Sequence, residues 1–337
     1  MATENGTMMR EISLQDIDGL RIGHTQNHQA KTGVTVLAFP RGARAGVDIS
    51  GGGPASRETP VLSPLTADVP VHAIVLSGGS AYGLAAADGV MACLEERGIG
   101  YNTGFALVPI VCQSCIYDLG YGSSTIRPDK AMGYQACLHA LEQNQHPQGN
   151  YGAGTGATTG KLAGMNRASK AGVGIYGVEV AGLQMAAIVV VNALGDIFSA
   201  TTGEKLAGLT TPNREGWTDI REALYTFTQS TDLFTRNNTT ISAIVTNGDF
   251  SKAQLTKLAA MATTAYAHCI NPVGTLADGD TVYAASVGTH PADLNMAGTL
   301  AAQVLAEAIQ RAVVTARISD EEFLGNIGNP LPPSSCT

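Results

Sequence analysis

Thr239 stands where a polar, turn-prone pair, Asn237-Asn238, runs into the β-branched and apolar stretch Thr240-Ile241-Ser242-Ala243-Ile244-Val245. A self-cleaving precursor needs that placement at its scissile bond. The Asn238–Thr239 peptide lies at a loop-to-strand junction, and the Thr239 hydroxyl is one residue from the carbonyl it would attack. Once the bond is cut, Thr239 carries a free α-amine beside its hydroxyl, so nucleophile and base arrive in one residue. The competing reading is structural: Asn-Asn-Thr-Thr before a strand is also an ordinary turn.

Three further segments hold residue types that could do chemistry. Gly149 to Lys161 is glycine-rich and invites a nucleotide reading, but the P-loop spacing fails, with Thr155 where the first glycine belongs and Leu162 after Lys161. The looser dinucleotide pattern on Gly152, Gly154 and Ala157 lacks the strand it needs, because Gln145 to Tyr151 is polar and contains Pro147. What remains is a loop with one cation, Lys161, suited to an oxyanion or a neighbouring amine, or else a tight-packing loop with a solvated lysine. Gly78-Gly79-Ser80 joins a strand to a helix start, where backbone N–H groups could hold a substrate carbonyl or a negative charge. Ser80 lacks the Gly-x-Ser-x-Gly context of a hydrolase elbow and reads as a helix cap. Asp278-Gly279-Asp280 precedes a strand. Its carboxylates could orient an ammonium group or bind a metal, or form a plain acidic turn; no calcium-loop or His-Glu-x-x-His pattern supports the metal.

The elements that must position these residues are legible in outline. Aromatics are 5% and charged residues 14% of 337, whereas glycine numbers 40, so small residues pack closely and turns are tight. A formal charge of -8 without a dense Lys/Arg cluster argues against nucleic acid and anionic membranes as partners. Met185 to Val191, the longest aliphatic run, is too short to span a bilayer, and Met1 to Arg10 contains no apolar signal segment. The expectation is a cytoplasmic protein. Cys112-x-x-Cys115 has no second pair at zinc-site spacing, and the six cysteines read as buried free thiols. Val34 to Phe39, His72 to Ser77, Gly182 to Val191, Thr240 to Thr246 and Thr281 to Ser286 read as strands. Helices are expected over Ala81 to Arg97 with Ser80 as cap, from Asp129 to Glu142, from Ser251 to His268 behind a Ser251/Gln254 capping box, and over Ala292 to Ala316. Thr201 to Asn238 reads as a surface linker with at most one helix near Trp217 to Thr228. Layered α/β with helices on both faces follows.

These pieces occur in an order that resembles the P1 (DmpA-like) peptidase family of L-aminopeptidase/D-esterases, β-peptidyl aminopeptidases and 6-aminohexanoate-oligomer hydrolases. The resemblance runs through Gly51 to Thr59, Leu76 to Leu84, Arg127-Pro128-Asp129, Gly152 to Lys161, Asn238 to Ile241 and Asp278 to Val282. It implies a four-layer αββα sandwich, of the design also seen in ornithine acetyltransferases and related to N-terminal-nucleophile hydrolases. It further implies autocleavage into an α chain, residues 1–238, and a β chain, residues 239–337, assembled as a tetramer of such heterodimers. Carried over by position, Thr239 resembles the nucleophile, Lys161 the cationic partner, Asn192 the oxyanion-side amide, Asp278 and Asp280 the pair facing the nucleophile's amine, and Tyr117 the site tyrosine. Aminopeptidase members have Ser-x-Glu at the Asp278-x-Asp280 position. The nylon-oligomer enzymes share the Asp pair, the Lys and the Thr.

The expected activity is hydrolysis of amide bonds in small peptides, amino-acid amides or ω-amino-acid oligomers through an acyl-enzyme on Thr239, with neither metal nor cofactor. The rivals are an aminopeptidase/D-esterase of strict N-terminal specificity, an acyltransferase in which an amine replaces water, and a non-catalytic scaffold in which Asn238-Thr239 is merely a turn.

Overall fold

A computed structural model of the chain describes residues 9–226 and 238–329. The longer strands are β1 (Arg21–Asn27), β2 (Thr32–Ile49), β3 (Val71–Ser77), β4 (Val111–Cys115), β5 (Val173–Val180), β6 (Leu183–Asn192), β7 (Thr239–Gly248) and β8 (Thr281–His290). The α-helices are α1 (Ala86–Glu96), α2 (Lys130–Glu142), α3 (Ile220–Thr226), α4 (Lys252–Ala262), α5 (Thr264–Cys269), α6 (Leu294–Val314) and α7 (Asp320–Gly325).

The 18-residue β2 links the two halves of the architecture. Its first half pairs antiparallel with β1 and β3, and β3 pairs parallel with β4. Its last residues, Arg44 to Ile49, pair antiparallel with β8. Between the halves the register shifts, from Ala38 to Ala43. That stretch holds Pro40, which has no N–H to give a ladder, and Gly42, whose φ of 76° suits glycine. Beyond β8 the path continues parallel to β7, then antiparallel through β6 to β5.

Period-two burial sorts the side chains into layers. Val34, Val36 and Ala38 of β2, with Ala73 and Val75 of β3, pack against Ala87, Val90 and Leu94 of α1 and Ala136 and Ala140 of α2. The alternate residues Leu37, Phe39, Ile74 and Leu76 point the other way, into the large core shared with Ile188, Val190, Ile241 and Ala243. That core reaches Leu255 and Leu258 of α4 and Leu305 and Ile309 of α6. The result is helices, sheet, sheet, helices: the four-layer αββα arrangement. Helix and strand backbones meet closely at glycines. A Cβ on Gly174 of β5 would lie 1.9 Å from the Ala308 carbonyl of α6, and one on Gly133 of α2 1.9 Å from the Ala86 carbonyl of α1.

Several elements differ from expectation. Ser80 does not cap an α-helix: it opens a 3-10 turn, Ser80–Ala85, at a left-handed φ of 53°, and α1 starts only at Ala86. An N-cap needs extended backbone, and the Ser80 N–H is instead drawn to the Ile116 carbonyl at 2.9 Å. The helix after the Ser251/Gln254 capping box, which forms, breaks at Thr263 into α4 and α5. Strand β5 was not foreseen. It is the hairpin partner of β6, turned at Ala181-Gly182, both with positive φ. The stretch read as a surface linker also buries Leu209 and Ile220 against Leu162 and Leu194. Residues 227–237 of that stretch lie outside the described residues, as does Cys336. The other five cysteines are free and buried.

If close backbone approach sets the layer spacing, Gly174→Ala should destabilise the chain by about 1–3 kcal/mol, the usual cost of overpacking. Gly325→Ala, with nothing within 4 Å, should stay near wild type. Urea midpoints at unchanged m-value check the pair.

Candidate active site

Four strand ends converge on Thr239. β7 and β8 are parallel, so their first residues lie on one edge of the sheet. β6 runs antiparallel to β7 and ends there with Asn192 directly opposite Thr239. β2 runs antiparallel to β8 and ends there too, leading into Gly51-Gly52-Gly53. Asn238 continues the edge as a parallel bridge to Asp278.

Around the Asn238–Thr239 peptide the hydrogen bonds are specific. The Thr239 hydroxyl donates to the Asn238 carbonyl oxygen at 2.5 Å. The Gly279 N–H donates to the same oxygen at 2.8 Å, and the Asn238 N–H donates to the Ala277 carbonyl at 2.8 Å. Gly279 has to be glycine for this approach. A Cβ there would sit 2.9 Å from the Gly53 carbonyl and 3.1 Å from the Thr239 hydroxyl oxygen. Thr239 is 4% exposed and Asn238 1%, so in the intact chain the hydroxyl is shut away from solvent.

The carboxylates tie the strand ends together. Asp280 accepts the Thr240 N–H at 2.7 Å on one oxygen and the Gly274 N–H at 3.1 Å on the other. Asp278 accepts the N–H and the hydroxyl of Thr275. The glycine run after β2 packs on this turn, with the Gly53 N–H on the Asp278 carbonyl. Burial and the neighbouring Asp278 charge push the Asp280 carboxyl above the usual carboxylate range.

Lys161 is buried, and its ammonium donates to the Asn192 carbonyl at 2.8 Å. Burial lowers its pKa to about 7, against the opposing pull of Asp278, Asp118 and Asp280. The Asn192 side chain donates to the Tyr117 carbonyl at 2.9 Å and accepts the Thr158 N–H at 3.1 Å. Tyr117 therefore reaches the site through its backbone, holding the amide of Asn192. Lys161, Asn192, Asp278 and Asp280 thus lie at the strand ends around Thr239.

The Gly78-Gly79-Ser80 loop departs from expectation. Its three N–H groups, expected to face a ligand, are committed inside the protein to Gly33, Asp118 and Ile116. Their partner Asp118 went unremarked in the sequence. It is fully buried, takes the Thr32 hydroxyl and the Gly79 N–H at 2.7 Å each, and is pushed up to about 6 by burial. A Cβ on Gly78 would fall 2.0 Å from its carboxylate. Gly279, the donor to the Asn238 carbonyl, was also missed. Its signal was a glycine between two aspartates. The Gly152–Gly154 turn is equally self-contained, since Gly152 and Ala153 donate to the side chains of Gln26 and Thr35. Among the described residues, no group of three or more His, Cys, Asp or Glu is placed to hold a metal ion.

Lys161 gives the folded chain a pH signature. Its folded pKa of about 7 lies below the ordinary lysine value of 10.5. Between those values the unfolded chain holds a proton that the folded chain has released, so this group makes folding more favourable as pH rises from 7. Lys170, buried against the Gly154 and Ala157 carbonyls, acts in the same direction. In a Thr239→Ala background, which removes the hydroxyl, Lys161→Met should flatten the gain in denaturation midpoint between pH 7 and 9. An unchanged slope would contradict the assignment.

Comparison with known proteins bears on the family and the fold. The model of peptidase family S58 matches residues 13–323. An uncharacterised aminopeptidase of Mycobacterium leprae (strain TN) is 34% identical, over 93% of this chain and 92% of its own. A 6-aminohexanoate-oligomer endohydrolase of Kocuria sp. (strain KY2) is 34% identical, over 85% of this chain and 77% of its own. Among solved structures, the L-aminopeptidase D-Ala-esterase/amidase of Ochrobactrum anthropi, described as a variant of the Ntn hydrolase fold, superposes with a TM-score of 0.65 at 16% identity, covering 94% of this chain and 95% of that one. A Burkholderia sp. β-aminopeptidase gives 0.58 at 19% identity, covering 89% and 84%; at such identities these likenesses speak for the fold. The strand-end site, the αββα layers and the matched length agree: the chain belongs to peptidase family S58 and is a hydrolase of peptide or amide bonds.

Proposed function

We propose that the chain is a self-processing N-terminal-threonine amidohydrolase. The observation that carries this reading is the pair of donors on the Asn238 carbonyl oxygen, the Thr239 hydroxyl at 2.5 Å and the Gly279 N–H at 2.8 Å. A nucleophile and an oxyanion donor already flank the bond to be cut. In maturation the hydroxyl oxygen adds to the Asn238 carbonyl carbon and its proton passes to the Thr239 nitrogen, which leaves as a free amine. Asn238 is then held as an ester on Thr239, and water opens it. Negative charge developing on the carbonyl oxygen falls to the Gly279 N–H, an interaction worth about 3 kcal/mol for one well-placed donor.

In turnover the same hydroxyl attacks a substrate amide, and the new α-amine, ordinarily near 7.7–8.0, accepts its proton. Lys161 disfavours protonation of that amine by like-charge repulsion and supports negative charge in the transition state. Asp280 and Asp278 fix the strand ends on either side of the amine, and Asn192 holds its place opposite Thr239 through Tyr117 and Thr158. No cofactor or metal enters this route. The substrate class comprises small peptides, amino-acid amides or ω-amino-acid oligomers. Both oxygens of Asp280 are taken by backbone N–H groups, which weighs against its serving as the clamp of a strict aminopeptidase. Assembly of the αβ units into a tetramer and a cytoplasmic location belong to the same reading. Among the described residues, no helix is long and apolar enough to cross a membrane.

Purified wild-type protein should resolve on a denaturing gel into two fragments, the smaller beginning at Thr239. Thr239→Ala should remain whole and lose at least 10³-fold in amidase activity, in keeping with removal of a nucleophile. If Thr239→Ala were still cut, cyclisation of the Asn238 side chain would replace hydroxyl attack, and the reading would fall.

A further inference from the structure

We infer that the segment Ala277-Asp278-Gly279 is the acyl-side docking strand of the mature enzyme. It receives the main chain of an extended α-amino-acid residue whose own nitrogen carries an N–H. The inference rests on the Thr239 reading above and names the substrate class of that site.

The argument is one of chemical identity. The ester formed in maturation links the carbonyl of Asn238 to the Thr239 oxygen and leaves a free Thr239 amine. The acyl-enzyme formed in turnover links a substrate carbonyl to the same oxygen beside the same amine. The two intermediates differ only in the acyl group. The seat of Asn238 in the intact chain therefore shows where an acyl group sits when bonded to Thr239. That seat is a parallel bridge to Asp278 with two main-chain bonds. The Asn238 N–H donates to the Ala277 carbonyl and the Gly279 N–H donates to the Asn238 carbonyl, each at 2.8 Å. Strand addition of this kind takes its affinity from backbone groups and is indifferent to much of the side chain.

Two consequences for specificity follow. In an α-amino-acid residue the N–H and the C=O are separated by one carbon, which is the spacing the Ala277 carbonyl and Gly279 N–H accept. In a 6-aminohexanoyl group five carbons separate the N–H from the C=O, and an extended chain cannot make both bonds. The residue seated here in the intact chain is also an internal one, joined through its nitrogen to the residue before it. A free amino terminus is therefore not needed on the acyl residue, and internal peptide bonds are within reach.

The test uses mature, cleaved enzyme and three p-nitroanilides: N-acetyl-alanyl, its ester isostere 2-acetoxypropanoyl of the same chirality, and 6-acetamidohexanoyl. In each, the Thr239 oxygen bonds to the acyl carbon, the bond to nitroaniline breaks, and the hydroxyl proton leaves on that nitrogen by way of the Thr239 amine. The isostere has the same shape but puts an oxygen where the N–H stood. The expected result is a fall in kcat/KM of about tenfold or more for the isostere, the scale of one lost hydrogen bond that leaves a carbonyl facing an oxygen. The 6-acetamidohexanoyl compound should fall at least as far. Equal kcat/KM for the first two compounds, or a faster reaction with the third, overturns the docking strand while leaving Thr239 as nucleophile. An enzyme with Thr239 at its terminus that releases nitroaniline from none of the three, and from no free amino-acid anilide, overturns the parent reading and the docking strand with it.

Discussion

Register between three central strands is the constraint from which the site follows. Thr239 faces Asn192 across the β6–β7 pair, and Ile241 faces Thr281 across the β7–β8 pair. Side chains alternate along a strand, so a one-residue slip of β7 would turn the Thr239 hydroxyl to the opposite face, away from Asn192. The register is held by burial on both faces, since Met185 to Asn192 of β6, Thr239 to Thr246 of β7 and Thr281 to Ser286 of β8 are buried without a break. The two sheets and their helices are thus the means by which a hydroxyl, a carbonyl and an N–H keep their places to within a hydrogen-bond length.

Into this apolar frame the chain inserts Lys161, Asp118, Asp278 and Asp280, all buried. Taking such groups out of water costs several kcal/mol each, and mutual attraction offsets that only where hydrogen bonds complete the set. Here the bonds come mainly from backbone: Gly79, Thr240, Gly274 and Thr275 donate to the carboxylates, and the Asn192 carbonyl accepts from the lysine. The outcome is a lysine lowered to about 7 and the carboxyls of Asp118 and Asp280 raised, groups whose charge states lie close in energy near neutral pH. That condition favours proton transfer more than stability, and it points to function at the strand ends. Lys170 shows the contrast. It is as buried and as depressed, yet it donates to the Gly154 and Ala157 carbonyls, where it closes a loop.

Legibility in the sequence followed the range of the interactions. A threonine opening an apolar run after an Asn pair, the Asp278–Asp280 spacing and a lone lysine in a glycine loop are local patterns, and each survived in the fold. The helices with side-chain caps, behind Asp129 and Ser251, were legible for the same reason. Ser80 misled because Gly-Gly-Ser before an apolar helix imitates a cap, whereas Asp118, 38 residues on, claims the preceding N–H and turns Ser80 left-handed. Asp118 itself had no local signal, since its partners Thr32 and Gly79 come from distant parts of the chain. Strand β5 was hidden because Gly174 and Gly177 interrupt its β-branched pattern, and Gly174 serves contact with α6 rather than strand propensity.

If the chain is processed as proposed, its intact form also accounts for why such a hydroxyl does no damage beforehand. Its nearest carbonyl is its own neighbour's, the site is closed to solvent, and the α-amine that would accept its proton is still an amide. An amide nitrogen is no base near neutral pH, so the intact residue lacks half of its catalytic equipment. On the reading proposed above, cleavage of one bond would change all three conditions together: it would free the amine, release Asn238 from the acyl seat, and turn the Gly279 N–H to a substrate carbonyl. Because Gly279 and the register of β7 and β8 are in place in the uncut chain, the proposed oxyanion donor would be set by folding rather than by processing. Activation in this design is subtraction. The fold sets a hydroxyl and an N–H around its own peptide, and on the proposed reading hydrolysis of that peptide would hand those contacts to a substrate.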